Sequence, residues 1–111
     1  MNALFWNVRG ITSPGRKTLI LENMAKTHAS IVGFQGTKKE ELSDSFLKSL
    51  VGNRIFSWHH LPSKGSAGGI LMGVDLNMFD IVSWSNLEFS VSCVIKLKNT
   101  DNPFRVITIY G

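Results

Sequence analysis

Two polar clusters, each closing an apolar run, are the residues of this chain best placed to do chemistry. Ala3-Leu4-Phe5-Trp6-Asn7-Val8 ends on a carboxamide and on Arg9-Gly10, and Ser30-Ile31-Val32-Gly33-Phe34 ends on Gln35-Gly36-Thr37-Lys38. An amide, a hydroxyl and cationic groups suit contact with phosphate oxygens. Hydrolysis of a phosphodiester through Mg²⁺ also needs a carboxylate to hold the ion, and a glycine stands in the middle of the second cluster.

Other chemistry-bearing residues have plainer readings. His59 and His60 are adjacent, so on a strand they point to opposite faces and share no site. His28 falls on the apolar side of a helical pattern and reads as a packed core residue. Trp6, Trp58 and Trp84 read as core aromatics rather than base-stacking platforms. Lys38-Lys39 before Glu40-Glu41 reads as a solvated helix start with balanced charge. Asp75, Asp80 and Asp101 lie in or beside turns, where aspartate is usual for backbone reasons. Pro62 to Gly69 forms a glycine- and serine-rich loop that opens a strand and lacks a lysine-serine ending, so it is no Walker phosphate loop.

Elements that would position these groups follow from the periodicity. The two apolar runs are buried strands. Between them Ser13 offers a helix cap with Pro14 at the first helical position, and Ile20, Leu21, Met24, Ala25 and His28 recur at helical spacing. A second helix is expected over residues 39 to 51, with Leu42, Phe46, Leu47 and Leu50 along one side. Strand, helix, strand, helix favours parallel pairing of the first two strands. After Gly52 the period becomes strand-like: Phe56, Trp58 and His60 alternate with Ser57 and His59, and Gly69 to Val74 and Phe79 to Ser85 form further strands. Phe89, Val91, Cys93, Ile95 and Leu97 alternate with polar residues, and Asn99 to Pro103 turns that strand back into Phe104 to Tyr110 as a hairpin.

Composition bounds the rest. With 111 residues, 43% hydrophobic and 18% charged, the chain reads as one folded domain over residues 1 to 111. No apolar run reaches the roughly 18 residues needed to cross a bilayer, and the start has no signal-peptide pattern. A single cysteine, Cys93, excludes an internal disulfide and fits an intracellular setting, nucleus or cytoplasm. The net charge of +4 is compatible with a polyanionic partner.

Trp6-Asn7-Val8-Arg9-Gly10, Phe34-Gln35-Gly36-Thr37-Lys38, the loop Gly65-Ser66-Ala67-Gly68-Gly69-Ile70-Leu71 and the terminal Ile109-Tyr110-Gly111 occur in one order. Together they resemble the amino-terminal half of the endonuclease/exonuclease/phosphatase superfamily, the DNase I-like fold, in the version found in the endonuclease domain of plant non-LTR (LINE-type) retrotransposons. The resemblance implies an α/β (α+β) fold, half of a four-layered sandwich, with a mixed β-sheet carrying two helices on one face. It implies an ancestral nicking of DNA with Mg²⁺ or Mn²⁺. Asn7 then matches the asparagine that touches metal or scissile phosphate, and Tyr110 a tyrosine at the active-site edge. The metal-binding glutamate falls on Gly36, flanked by Gln35, Thr37 and Lys38, and Arg9 is the residue usual in the plant elements. The carboxy-terminal acid and histidine groups have no counterpart.

Three expectations follow. The chain alone binds no Mg²⁺ and does not nick DNA. An ending at a strand end suggests a piece of something longer, or a partner that supplies what comes next. A half-sandwich leaves a sheet face uncovered around Phe89, Val91, Cys93 and Ile95, favouring self-association or a partner. A binding module for nucleic acid or protein, using Arg9, Arg16, Lys17, Lys38 and Lys64, is the alternative to a relic nuclease.

Overall fold

The computed structural model of the chain describes residues 2–65 and 68–110. Ser66 and Ala67 of the glycine loop and the terminal Gly111 lie outside the described residues. In chain order the elements are β1 (Ala3–Asn7), α1 (Arg16–Thr27), β2 (Ile31–Gln35), α2 (Asp44–Val51), β3 (Phe56–Leu61), β4 (Ile70–Asp75), β5 (Phe79–Leu87), β6 (Ser90–Leu97) and β7 (Phe104–Ile109). They build two sheets, one of four strands in the order β1-β2-β4-β3 and one of three in the order β5-β6-β7. The first is mixed, because β1 and β2 run parallel through the α1 crossover while β4 runs antiparallel to both β2 and β3. Among the described residues no helix is long and apolar enough to cross a membrane.

Strand alternation divides the first sheet cleanly. Val32, Phe34 and Leu71 face the helices and pack with Val8, Ile11, Ile20, Met24 and Leu50. Ile31, Ile70, Met72 and Val74 face the other way and pack with Phe79, Val91, Cys93 and Ile95 of the second sheet. Both clusters are needed because every central strand is buried on two sides. Gly73 leaves the space that the Trp58 ring occupies. Lys17 of α1 lies 5.9 Å from the Phe46 ring centroid of α2, linking the two helices.

Side chains of β3 and β5 tie the two sheets together. His59 stacks on Trp84 with ring centroids 5.4 Å apart, and the indole N–H of Trp84 donates to Ser57 at 3.2 Å. Toward β1 and β7 the layers are more open: Phe5 is 49% exposed although it sits on the inner face. At the far end of β4, Arg54 donates to both the Ala29 carbonyl (2.6 Å) and the Asp75 carboxylate (2.9 Å), and its guanidinium lies 4.9 Å from the Phe56 ring centroid.

Several expectations need correction. Helix α1 begins at Arg16 rather than Pro14: Gly15 takes a left-handed conformation (φ 77°) and Pro14-Gly15 forms a turn with no side-chain cap. Leu21, Ala25 and His28 are exposed, and His28 terminates α1 in a left-handed conformation, its N–H bonded to the Met24 carbonyl at 3.0 Å. Helix α2 starts at Asp44, capped by Ser43, whose hydroxyl accepts the Phe46 N–H at 3.1 Å. Residues 39–43 stay out of the helix because the Lys39 carbonyl is drawn to the Ser63 N–H (2.9 Å). Asp80 stands within β5, not in a turn, between Lys96 and Lys98. Val91, Cys93 and Ile95 are fully buried, because the chain supplies its own second sheet. Of that expected patch only Phe89 is exposed, and the other exposed apolar side chains include Leu87, Ile107 and Ile109.

Candidate functional site

The first sheet delivers its strand ends to one place. Asn7, Gln35 and Ile70 are in register across β1, β2 and β4. Beyond them the ladder continues through loop backbone, with Val8 N–H on Gln35 O (2.9 Å), Gly10 N–H on Gly36 O (2.7 Å) and Ile11 N–H on Thr37 O (3.0 Å). On the other side Gly36 and Thr37 N–H both reach Gly69 O (2.8 and 3.2 Å), and Lys38 N–H reaches Gly68 O (2.9 Å). Three loops are thus laced into one rigid surface.

This lacing demands unusual backbone. Gly36, Gly68 and Gly69 have φ of 72°, 81° and 88°, which glycine adopts without strain. Arg9 and Lys38 reach φ of 50° and 58°, uncommon for residues with side chains. Asn7 explains the first, since its Oδ1 accepts the Arg9 N–H at 3.2 Å and closes a short side-chain turn. A Cβ on Gly69 would overlap the Thr37 hydroxyl, which is buried and has no hydrogen-bond partner.

Of the residues singled out from sequence, Asn7 and Gly36 are neighbours: a Cβ on Gly36 would lie 2.7 Å from Asn7 Oδ1 and 3.6 Å from Arg9 N. Gln35 stands beside Asn7 by register. Lys38 is exposed, and its stem passes 3.8 Å from a Cβ placed on Gly10. Tyr110, half-buried and held by its N–H on the Phe89 carbonyl (2.9 Å), brings its ring edge to 3.9 Å from a Cβ placed on Gly68. Two acids were read only as a helix start. Glu40 and Glu41 instead line, with Lys38 and Lys39, an open hollow of about 800 Å³ beside the strand ends. Sequence alone gave no signal for this, because it depends on Ser63 holding Lys39 extended.

Asn7, Thr37 and the loop carbonyls supply neutral oxygens with no carboxylate, and Asn7 Oδ1 is already occupied. Such a set does not fit Mg²⁺, which is held through one or two carboxylates in near-octahedral geometry. Among the described residues no three His, Cys, Asp or Glu side chains converge as a metal-ligating group. His60 is half-buried, its Nε2 lacks a partner, and burial followed by the neighbouring His59 lowers its pKa from the usual 6.5. Burial pushes the Cys93 thiol up to about 11, so it is unreactive at neutral pH.

No protein-family model matches the chain, and no curated protein matches it at a significant level. Solved structures do. The human Nocturnin catalytic domain with bound sulfate anion is similar with a TM-score of 0.68 at 17% identity, over 92% of this chain and 47% of that one. The AP endonuclease LMAP from Leishmania major gives 0.70 at 13% identity, over 96% and 38%. A functionally unknown conserved protein from Enterococcus faecalis V583 gives 0.66 at 14% identity, over 99% and 52%. The chain has the two-sheet, two-helix arrangement of the DNase I-like fold and spans about half or less of the length of these structures. At such identities the likeness is one of fold.

Proposed function

We propose that this chain is a phosphodiester-recognising module on a DNase I-like scaffold that contacts DNA without cleaving it. The observation that carries the reading is Gly36: the place of the metal-binding carboxylate in the resembled motif is a left-handed glycine whose Cβ direction is filled by Asn7 Oδ1. Arg9, Lys38 and Lys64 would contact phosphate oxygens, with Gln35 and Tyr110 as neutral hydrogen-bonding groups. The Trp6-to-Gly10 and Gly68-to-Leu71 sequences support descent from a LINE-type retrotransposon endonuclease, and a nuclear or cytoplasmic setting accords with a lone buried thiol.

Neither half of hydrolysis is supported by these side chains. A metal lacks its anchor, and the attacking water lacks a positioned base, a loss worth about 10²- to 10⁴-fold on its own. Supercoiled plasmid incubated with the chain and Mg²⁺ or Mn²⁺ is expected to stay intact, and nicking that EDTA abolishes would refute the reading. DNA binding by fluorescence anisotropy is expected to weaken with salt, with a log–log slope of about −2 to −3 for three phosphate contacts.

The coverage of 47% of the Nocturnin catalytic domain supports a second reading, in which these residues form one half of a longer hydrolase. A version extended by a second half would then nick DNA.

A further inference from the structure

The two layers of the sandwich have unequal strand counts. One sheet has four strands and the other three, and β7 packs over β2 and β4, so β1 extends one strand beyond its cover. Phe5 of β1 shows the consequence. Its ring and the Thr108 hydroxyl share the space above Gly33, on the face turned toward the second sheet, yet Phe5 is 49% exposed. We propose that the open edge of β7 accepts one extended peptide strand from another protein, apolar on both faces and acidic where it meets Arg105, and that this strand covers Phe5.

The edge of β7 is ready for main-chain pairing. Across β6 the Tyr110 N–H bonds to the Phe89 carbonyl at 2.9 Å, and strand alternation turns the backbone groups of Thr108, Val106 and Phe104 the same way. Those of Arg105, Ile107 and Ile109 therefore point away from β6, where among the described residues no strand meets them. Sheet edges are ordinarily blunted by charge, bulges or proline. The opposite edge follows that rule, since β5 is bulged between Ile81 and Ser83 and carries Asp80 beside Lys96 and Lys98. Strand β7 does not: its register on β6 is unbroken, and Phe104, Ile107 and Ile109 are 37%, 49% and 63% exposed.

This vacancy admits a strand and excludes a second copy of the chain. A copy that paired its own β7 antiparallel to this one would keep its four-stranded sheet in the same layer, so the two protruding β1 strands would collide. A separate peptide brings no such layer. Antiparallel pairing, the more stable kind per residue, then sets the sequence it takes. Positions opposite Ile109 and Ile107 are apolar on the outer face, and positions opposite Thr108 and Val106 are apolar on the face toward Phe5. The position opposite Arg105 is acidic, because Arg105 donates from Nη1 to Ser92 at 3.2 Å on the outer face and no carboxylate among the described residues pairs with it.

The probe is a fluorescein-labelled peptide, Ser-Val-Leu-Val-Leu-Glu-Ser, titrated with the intact chain and followed by anisotropy. Its two valines and its glutamate turn their N–H groups to β7, and its two leucines turn theirs away. N-methylation of the valines is expected to weaken binding by about tenfold or more, while N-methylation of the leucines leaves it unchanged. Exchanging the glutamate for lysine is expected to weaken binding to the parent chain, and Arg105→Glu to restore it. Equal affinity of the two methylated peptides, or no binding of the parent peptide, would overturn the proposal. Self-association of the chain that Ile107→Lys abolishes would also overturn it, by assigning the edge to a second copy.

Discussion

Asn7 Oδ1 occupies the space into which a side chain at Gly36 would grow, 2.7 Å from where its first carbon would be. The same oxygen accepts the Arg9 N–H, so one carboxamide closes the turn after β1 and fills the space beside Gly36. Gly36→Ala is expected to cost about 1–2 kcal/mol, from left-handed strain and the close contact together. Urea unfolding measures this, and Asn7→Ala in the same chain should recover part of the loss. Gly36→Glu should yield no EDTA-sensitive nicking, because the new side chain starts in a blocked direction.

Thr108 gives the opposite sign. Its hydroxyl is buried between the sheets near Gly33 and has no hydrogen-bond partner. Thr108→Val keeps the shape and removes the desolvated group, so it should stabilise by about 1 kcal/mol. Gly33→Ala should do the reverse, since a methyl there would meet both the Thr108 hydroxyl and the Phe5 ring, at 2.6 Å from Phe5 Cδ1. Thermal unfolding of the two variants against the parent checks both.

Asp75 and Arg54 form the most buried ion pair among the described residues, at side-chain exposures of 10% and 33%. Asp75 also accepts the Asn77 N–H at 2.8 Å, and Arg54 also serves the Ala29 carbonyl. Asp75→Ala therefore strands a guanidinium and a turn N–H, with an expected loss of about 2–3 kcal/mol in urea unfolding. Arg54→Lys should lose part of this, since one ammonium cannot reproduce the fork that serves both acceptors.

His60 sets a pH dependence. Its folded-state pKa lies below 6.5, so below that pH the unfolded chain binds more protons than the folded one. Stability should therefore fall as pH drops below 6.5 and be flat with respect to this group above it. His60→Gln should flatten that acid-side slope in urea titrations, and an unchanged slope would count against the assignment.

The strands were legible because their apolar content is dense and their punctuation strong. Val91, Cys93 and Ile95 read as one face of a strand and are one face. What covers that face was not legible: the partners Ile31, Ile70 and Met72 are distant in sequence, and nothing local distinguishes a face meeting another sheet from one left open. Helix limits failed where tertiary bonds intervened, at Lys39 with Ser63, and where Gly15 offered a turn instead of a cap. At the site the residue types were legible in Asn7 and Gly36, but their contact was not. It follows from the registry of β1 on β2, Asn7 against Gln35, which leaves no local mark.

Each sheet is made from one uninterrupted stretch, the first complete by Asp75 and the second begun at Phe79. During synthesis the helix-bearing layer can therefore finish before its cover exists, and Ile31, Ile70, Met72 and Val74 face water until the final third emerges from the ribosome. The nascent chain is most prone to aggregate in that interval, and a pause or a stop codon just after Asp75 would leave a layer with no lid.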